Sequence, residues 1–323
     1  MHVLHLITST RSFFEQQIDV LEDRGVTCTV LDAPGEYRPD APRTATDYLR
    51  YYPRMLSAVR EYDVDLVHAH YGLVAPLALA QPIRPVVLSL WGTDLMGDRR
   101  WLQGFSRFGA RGADATILPS SAMADAIGTD YHLIPFGVDL ELFKPMDRDV
   151  ARERLGWSTD RPVALFPYDP DRPEKRYKLA ERVVSEAAVD VDLRTIVSAP
   201  YEDVPLYMNA SDLLLVTSSR ESGPMTVKEA AACNLPVVAT DVGFVRETIA
   251  DVRNCAVAAD RSALVRGIER VIRDGGRSNG RMTVEGLGLD AMGDRLHRLY
   301  TSMVERSTPP EPAVRERSTS HGS

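Results

Sequence analysis

Short apolar runs alternate with stretches of helical periodicity along most of the chain. The first run, His2-Val3-Leu4-His5-Leu6-Ile7, reads as a strand. Behind it, Phe14, Ile18 and Leu21 recur at helical spacing after a Ser12-x-x-Glu15 capping-box signal, and Gly25 ends that helix. Further strands are predicted at 26–31, 65–69, 85–90, 115–118 and 131–134, with helix-like stretches between them. The alternation pauses at Pro135-Phe136-Gly137-Val138-Asp139, and a charged stretch through Lys144, Pro145, Asp147 and Asp149 reads as a connector. A second cycle then places strands at 163–166, 192–196, 213–216, 236–239 and 255–257. A last helix, about 288–305, carries Met292, Leu296, Leu299 and Met303 on one stripe.

This pattern predicts an α/β chain of two doubly wound, parallel-sheet (Rossmann-like) domains, 1–142 and 150–285, with the last helix packing back on the first. Ligands of such sheets bind at the carboxyl ends of the strands, so two facing units create a central cleft. Residues 307–323, rich in Pro, Ser, Arg and Glu, contain almost nothing that can pack and are expected to be a disordered tail.

Composition agrees with two domains, since 323 residues is roughly twice the usual size of one. The formal charge of -8 is spread without a long run of either sign, which argues against nucleic acid as a partner. Cys28, Cys233 and Cys255 show no metal-ligand spacing and read as buried thiols in a reducing compartment. The N-terminus lacks the features of a signal peptide, and no run of about eighteen apolar residues occurs. A cytoplasmic location is therefore expected, with any membrane contact peripheral at the inner face.

The sharpest chemistry lies in Glu221-Ser222-Gly223-Pro224-Met225-Thr226-Val227-Lys228-Glu229, which follows a predicted strand and opens a helix running through Ala232. Glu221 would face the cleft, and Glu229 falls about two turns into a helix beginning near Gly223. Gly223 permits close backbone approach, and the leading amides of Met225 and Thr226 suit phosphate oxygens. Taken alone, such a Glu pair reads rather as a helix-capping charge and a solvated residue.

The surrounding residues decide between the two. Glu221-x7-Glu229, followed by Ala-Cys-Asn-Leu-Pro-Val-Val-Ala-Thr-Asp-Val-Gly through Gly243 and then Glu247, resembles the C-terminal signature of the retaining family-four glycosyltransferases. Three further segments agree in order: Asp65-Leu-Val-His-Ala-His70-Tyr-Gly72, Ser89-Leu-Trp91-Gly-Thr-Asp94-Leu95, and Ile134-Pro-Phe-Gly137-Val-Asp139 before Phe143-Lys-Pro145. The resemblance covers most of the chain and implies the GT-B fold. It also implies that Glu221 contacts the transferred sugar and Glu229 the ribose hydroxyls of a nucleotide diphosphate sugar. The chain is thus expected to transfer a sugar to a hydroxyl acceptor, a glycan or lipid-linked glycan, with retention of configuration. No metal and no separate cofactor are expected.

A diphosphate needs a cationic partner, expected in the loop 167–177, where Arg172 and Lys175 are the candidates. The family has an Arg five residues before a Lys-Gly pair, whereas here Arg172 lies three before Lys175 and Arg176 replaces the Gly. Three more departures stand in the first unit. Ser9-Thr-Arg-Ser-Phe13-Phe14 replaces a Gly-Gly loop, Trp91 replaces a His, and Phe136 replaces an Asn. Trp91 is suited to stack on a sugar, His70 is a candidate for the border of the acceptor pocket, and Gly137 for the cleft lining. Asp94 reads as a helix cap. Alternative readings are a GT-B sugar-nucleotide epimerase or phosphorylase, and a non-catalytic nucleotide-sugar-binding protein. A nicotinamide dehydrogenase is disfavoured because no Gly-x-Gly-x-x-Gly loop follows the first strand.

Overall fold

Eleven short strands, the central ones apolar, form two all-parallel sheets in the computed structural model, which describes residues 1–34, 43–158, 160–197, 199–221 and 223–307. The first sheet comprises β1 (His2–Ile7), β2 (Thr27–Asp32), β3 (Leu66–His70), β4 (Val86–Ser89), β5 (Ala115–Leu118) and β6 (His132–Leu133), in the order β2-β1-β3-β4-β5-β6. The second holds β7 (Val163–Phe166), β8 (Asp192–Thr195), β9 (Leu213–Val216), β10 (Val237–Thr240) and β11 (Ala256–Ala258), in the order β11-β10-β9-β7-β8. Central strands such as Leu213–Val216 are buried at every position, as a sheet covered by helices on both faces requires.

Alternation along β1 and β3 sorts the core of the first unit into two layers. Leu4, Leu6, Val67 and Ala69 face one helical layer. Val3 and Leu66 face the other, where the terminal helix Leu289–Ser307 seats Met292, Leu296, Leu299, Tyr300 and Met303. That helix also packs on Ser12–Glu22, and Arg24 fastens it through Asp294 at 2.8 Å and Asp290 at 3.2 Å. The last helix thus returns to the sheet on which the chain begins.

Several local expectations need correction. Ser12 is the first helical residue, Arg11 precedes it as N-cap, and no side chain caps that end. The capping box forms instead at Thr44 and Asp47. The cysteines are all free, but only Cys233 is fully buried. The tail expected over 307–323 lies outside the described residues, except that Ser307 ends the terminal helix.

Candidate active site

Parallel strands send their carboxyl-end loops to one edge, so the loops after β7, β8, β9 and β10 emerge together. The loop after β7 makes a tight turn over Pro173–Lys175 and enters the helix Tyr177–Glu186 through Arg176, whose φ of 54° is left-handed. This is the position where the resemblance has glycine, and the backbone conformation accounts for that preference. Here the guanidinium of Arg176 donates to the carbonyls of Thr217 at 2.5 Å and Ser218 at 2.9 Å, bracing this loop against the one after β9. Arg176 is therefore committed to backbone.

Lys175 is only 6% exposed, and its ammonium is ion-paired with Oε1 of Glu221. The Ser218 hydroxyl donates to the same oxygen at 2.7 Å, and the Tyr168 ring lies 3.9 Å from the ammonium. Burial pulls the Lys175 pKa down, and the Glu221 charge opposes that shift. Arg172, by contrast, is exposed and donates to Glu174 at 2.6 and 2.9 Å. Of the expected catalytic trio, the structure brings Lys175 and Glu221 together and leaves Arg172 on its own neighbour.

Gly243 holds the Glu221 loop. With φ of 56°, its backbone lies so close that a Cβ there would stand 2.3 Å from the Glu221 carbonyl oxygen. Gly223 abuts the first unit, since its Cβ position is 3.5 Å from the Phe136 ring and 3.6 Å from Pro119. Pro224 is the N-cap residue of the helix Met225–Ala232. Met225 and Thr226 supply its first turn, and the Thr226 hydroxyl is 2.6 Å from that of Tyr168.

Glu229 consequently lies little more than one turn into this helix, because the helix starts at Met225 rather than near Gly223. It is 3% exposed, which excludes the solvated alternative. Burial pushes its carboxyl up to about 7, while a 2.9 Å hydrogen bond from Tyr201 and the charge of Lys228 restrain the rise. Lys228 is buried as well, is pushed down to about 8 by burial, and donates to the Phe136 carbonyl at 2.7 Å.

The first unit differs more from expectation. His70 does not border a pocket: it is fully buried with His5 and His68, all three on the sheet face covered by the terminal helix. His5 Nδ1 and His70 Nε2 are 3.0 Å apart, and His68 meets Tyr300 at 2.5 Å and Ser89 at 2.8 Å. Among the described residues these rings form the group close enough to share a metal ion. His5 Nε2 and His70 Nδ1 are buried without a hydrogen-bond partner, and burial drives the pKa of His5 down to about 3 and that of the other two well below the usual value.

Gly137 likewise faces the terminal helix rather than the cleft, its amide donating to Met292 Sδ at 3.1 Å and its Cβ position 2.7 Å from Leu289 Cα. Asp94 is a loop tie more than a helix cap. It is fully buried and accepts from the amides of Gly72 at 2.9 Å, Gly92 at 2.8 Å and Trp91 at 3.1 Å. Trp91 is half-buried. The Phe13 ring meets it edge-on at 4.9 Å and lies 4.5 Å from Phe136. The three positions at which the first unit departs from the family pattern therefore form one aromatic junction.

Tyr168, Ser218, Tyr201 and Lys228 are site residues that sequence reasoning missed. Tyr168 lies within the loop searched for cations and offered no charge to draw attention. Tyr201 lies 28 residues before Glu229, in a loop without a motif, and no local signal pairs them.

Comparison with known proteins identifies the family and the fold. Residues 2–142 match the model of Glycosyltransferase Family 4, and residues 174–285 match that of Glycosyl transferases group 1. The chain is 28% identical over 315 residues to D-inositol 3-phosphate glycosyltransferase 1 of Catenulispora acidiphila, covering 78% of this chain and 75% of that protein. It is 27% identical over 241 residues to the putative teichuronic acid biosynthesis glycosyltransferase TuaC of Bacillus subtilis, covering 64% and 61%. Among solved structures, sucrose-phosphate synthase from Thermosynechococcus elongatus superposes with a TM-score of 0.79 at 16% identity, covering 95% of this chain and all of that one. Anabaena HepE, solved in complex with UDP and glucose, gives 0.73 at 18% identity, covering 94% of this chain and all of that one. With both sheets and both signatures in place, the chain belongs to the family-four, group 1 glycosyltransferases and is a glycosyltransferase of the GT-B fold.

Proposed function

We propose that this glycosyltransferase takes its sugar from a nucleoside diphosphate sugar and passes it, with retention of configuration, to a hydroxyl group of a glycan or lipid-linked glycan. The observation that carries the reading is the placement of Lys175 and Glu221 as a nearly buried pair, with Glu229 buried on the helix that follows. In this reading the Glu229 carboxylate accepts from the ribose hydroxyls, and the first turn at Met225 and Thr226 receives phosphate oxygens. A diphosphate arriving beside Lys175 draws the ammonium from Glu221, which releases that carboxylate to accept from sugar hydroxyls. Arg172 provides a second cation once it turns from Glu174.

The bond from the anomeric carbon to the phosphate oxygen breaks as the acceptor oxygen bonds to that carbon on the same face. The acceptor proton passes to the departing phosphate. Lys175 stabilises the negative charge developing on the leaving group, so that charge is met by the protein's own groups. A UDP complex of a protein of the same fold supports the donor class. The names of similar proteins, which include a teichuronic acid biosynthesis glycosyltransferase, support a glycan acceptor.

A panel of uridine, guanosine and adenosine diphosphate sugars tests the reading, with binding, slow donor hydrolysis and products followed for wild type, Glu229→Ala and Lys175→Ala. One donor that binds and turns over, with Glu229→Ala weakening binding and Lys175→Ala removing turnover, is the expected result. An epimerised nucleotide sugar or a sugar phosphate as the product would replace the transferase reaction by another. Donor binding indifferent to Glu229 would remove the nucleotide assignment.

A further inference from the structure

The helix Arg100–Gly112 has a surface unlike any other part of the molecule. Trp101, Phe105 and Phe108 are 53, 43 and 58% exposed, and they are the only exposed Phe or Trp side chains among the described residues. At helical spacing they fall within an arc of about 60°. Arg100 and Arg111 lie exposed along one flank of that stripe, Arg107 between them is half-buried and donates to the Ala126 carbonyl at 2.8 Å, Arg99 precedes the helix, and the helix holds no acidic residue. This cluster of one sign sits on a chain whose formal charge is -8.

The stripe is not a core face turned outward by loose packing. The opposite face, with Leu102, Ser106, Gly109 and Ala110, is buried. The Ser106 hydroxyl donates to the Asp94 carbonyl at 2.8 Å, and a Cβ on Gly109 would stand 2.4 Å from Ala75. The helix is thus fixed in rotation by small residues on its inner side, and the aromatic stripe is held toward solvent.

We propose that this helix docks the protein on an anionic lipid surface, the aromatic rings entering the headgroup boundary and Arg99, Arg100 and Arg111 pairing with lipid phosphates. Aromatic rings beside a basic row are the composition of helices that lie in a membrane interface. A second copy of the chain is the poorer occupant, because an antiparallel two-fold contact through this stripe would bring two arginine flanks together. The helix begins two residues after Asp98, which reaches Arg220 of the second unit at 3.1 Å, next to Glu221. Docking here brings the Glu221 loop toward the bilayer. The inference rests on the surface alone and is independent of the donor reading.

Co-sedimentation of the full chain with vesicles tests it, using phosphatidylcholine alone and phosphatidylcholine with phosphatidylglycerol. The wild type should bind the anionic vesicles and release at high salt. Phe105→Ala/Phe108→Ala and Arg100→Gln/Arg111→Gln should each weaken binding by about tenfold or more, with thermal melting and nucleotide binding unchanged. Quenching of tryptophan by brominated acyl chains should appear in the wild type and fall in Trp101→Phe. No binding to anionic vesicles, or binding that ignores these substitutions, overturns the proposal. So does self-association in sedimentation velocity that the aromatic substitutions abolish, which would assign the face to a protein contact.

Discussion

The ammonium of Lys175 and the carboxylate of Glu221 form an ion pair of which neither member is more than 12% exposed. On the proposed reading, an ammonium so placed is little screened by water once a phosphate takes the place of Glu221. Lys175→Met should lower the transfer rate by roughly 10²–10³-fold, the usual cost of removing one stabilising group at a developing negative charge. Steady-state kinetics with the cognate donor, beside an unchanged circular dichroism spectrum, measures it. A loss below tenfold would mean that another cation meets the leaving group.

Glu229 predicts a pH dependence. Its folded-state pKa of about 7 lies above the ordinary value of 4.5, so the native protein holds a proton that the unfolded chain releases between those two pH values. Stability must therefore fall as pH rises through that window, and the deficit is complete above about pH 7, on the order of 3 kcal/mol. Urea denaturation of wild type and Glu229→Gln at pH 5 and pH 8 should show the variant gaining relative stability at the higher pH. Equal differences at both would show that Glu229 ionises normally.

Arg176 separates backbone from side-chain effects. Replacing it by alanine or glycine removes the same bonds to Thr217 and Ser218. Only glycine relieves the left-handed backbone at φ 54°. Arg176→Gly should therefore be more stable than Arg176→Ala by about 1 kcal/mol, while both are less stable than wild type. Thermal or chemical denaturation of the three proteins decides it.

Tyr300→Phe tests the return of the terminal helix. The change removes one hydroxyl and leaves His68 Nδ1 buried without that partner. A loss of about 1–3 kcal/mol is expected, with little effect on donor binding because the contact lies beneath the sheet. A neutral result in denaturant titration would place the helix elsewhere in solution.

The strands were legible in the sequence because each buried run is apolar and bounded by turn residues. Val163–Phe166 and Leu213–Val216 fall where the pattern put them, and Val237–Thr240 is displaced by one residue. Glu221, Glu229 and Lys175 were legible because charge within a motif is a local signal. Their partners were not: Tyr201 reaches Glu229 only because β8 and β9 send their loops to one edge, a property of topology rather than of any short segment. His70 was misread for a related reason. Its place at the end of a strand suggested a loop, yet alternation along β3 turns it inward beside His68, with Phe14 4.8 Å and Trp91 5.9 Å from its ring.

Phe136 is gripped from several sides at once. Its ring lies 4.5 Å from Phe13, at the entry to the first helix of the chain. Gly223 passes against the same ring, and Lys228 of the following helix holds its carbonyl. The loop after β1 and the loop that opens the helix Met225–Ala232 thus meet on one side chain. Phe136 is therefore a shared support: truncating its ring would loosen Phe13 on one side and the Gly223 turn on the other in a single step.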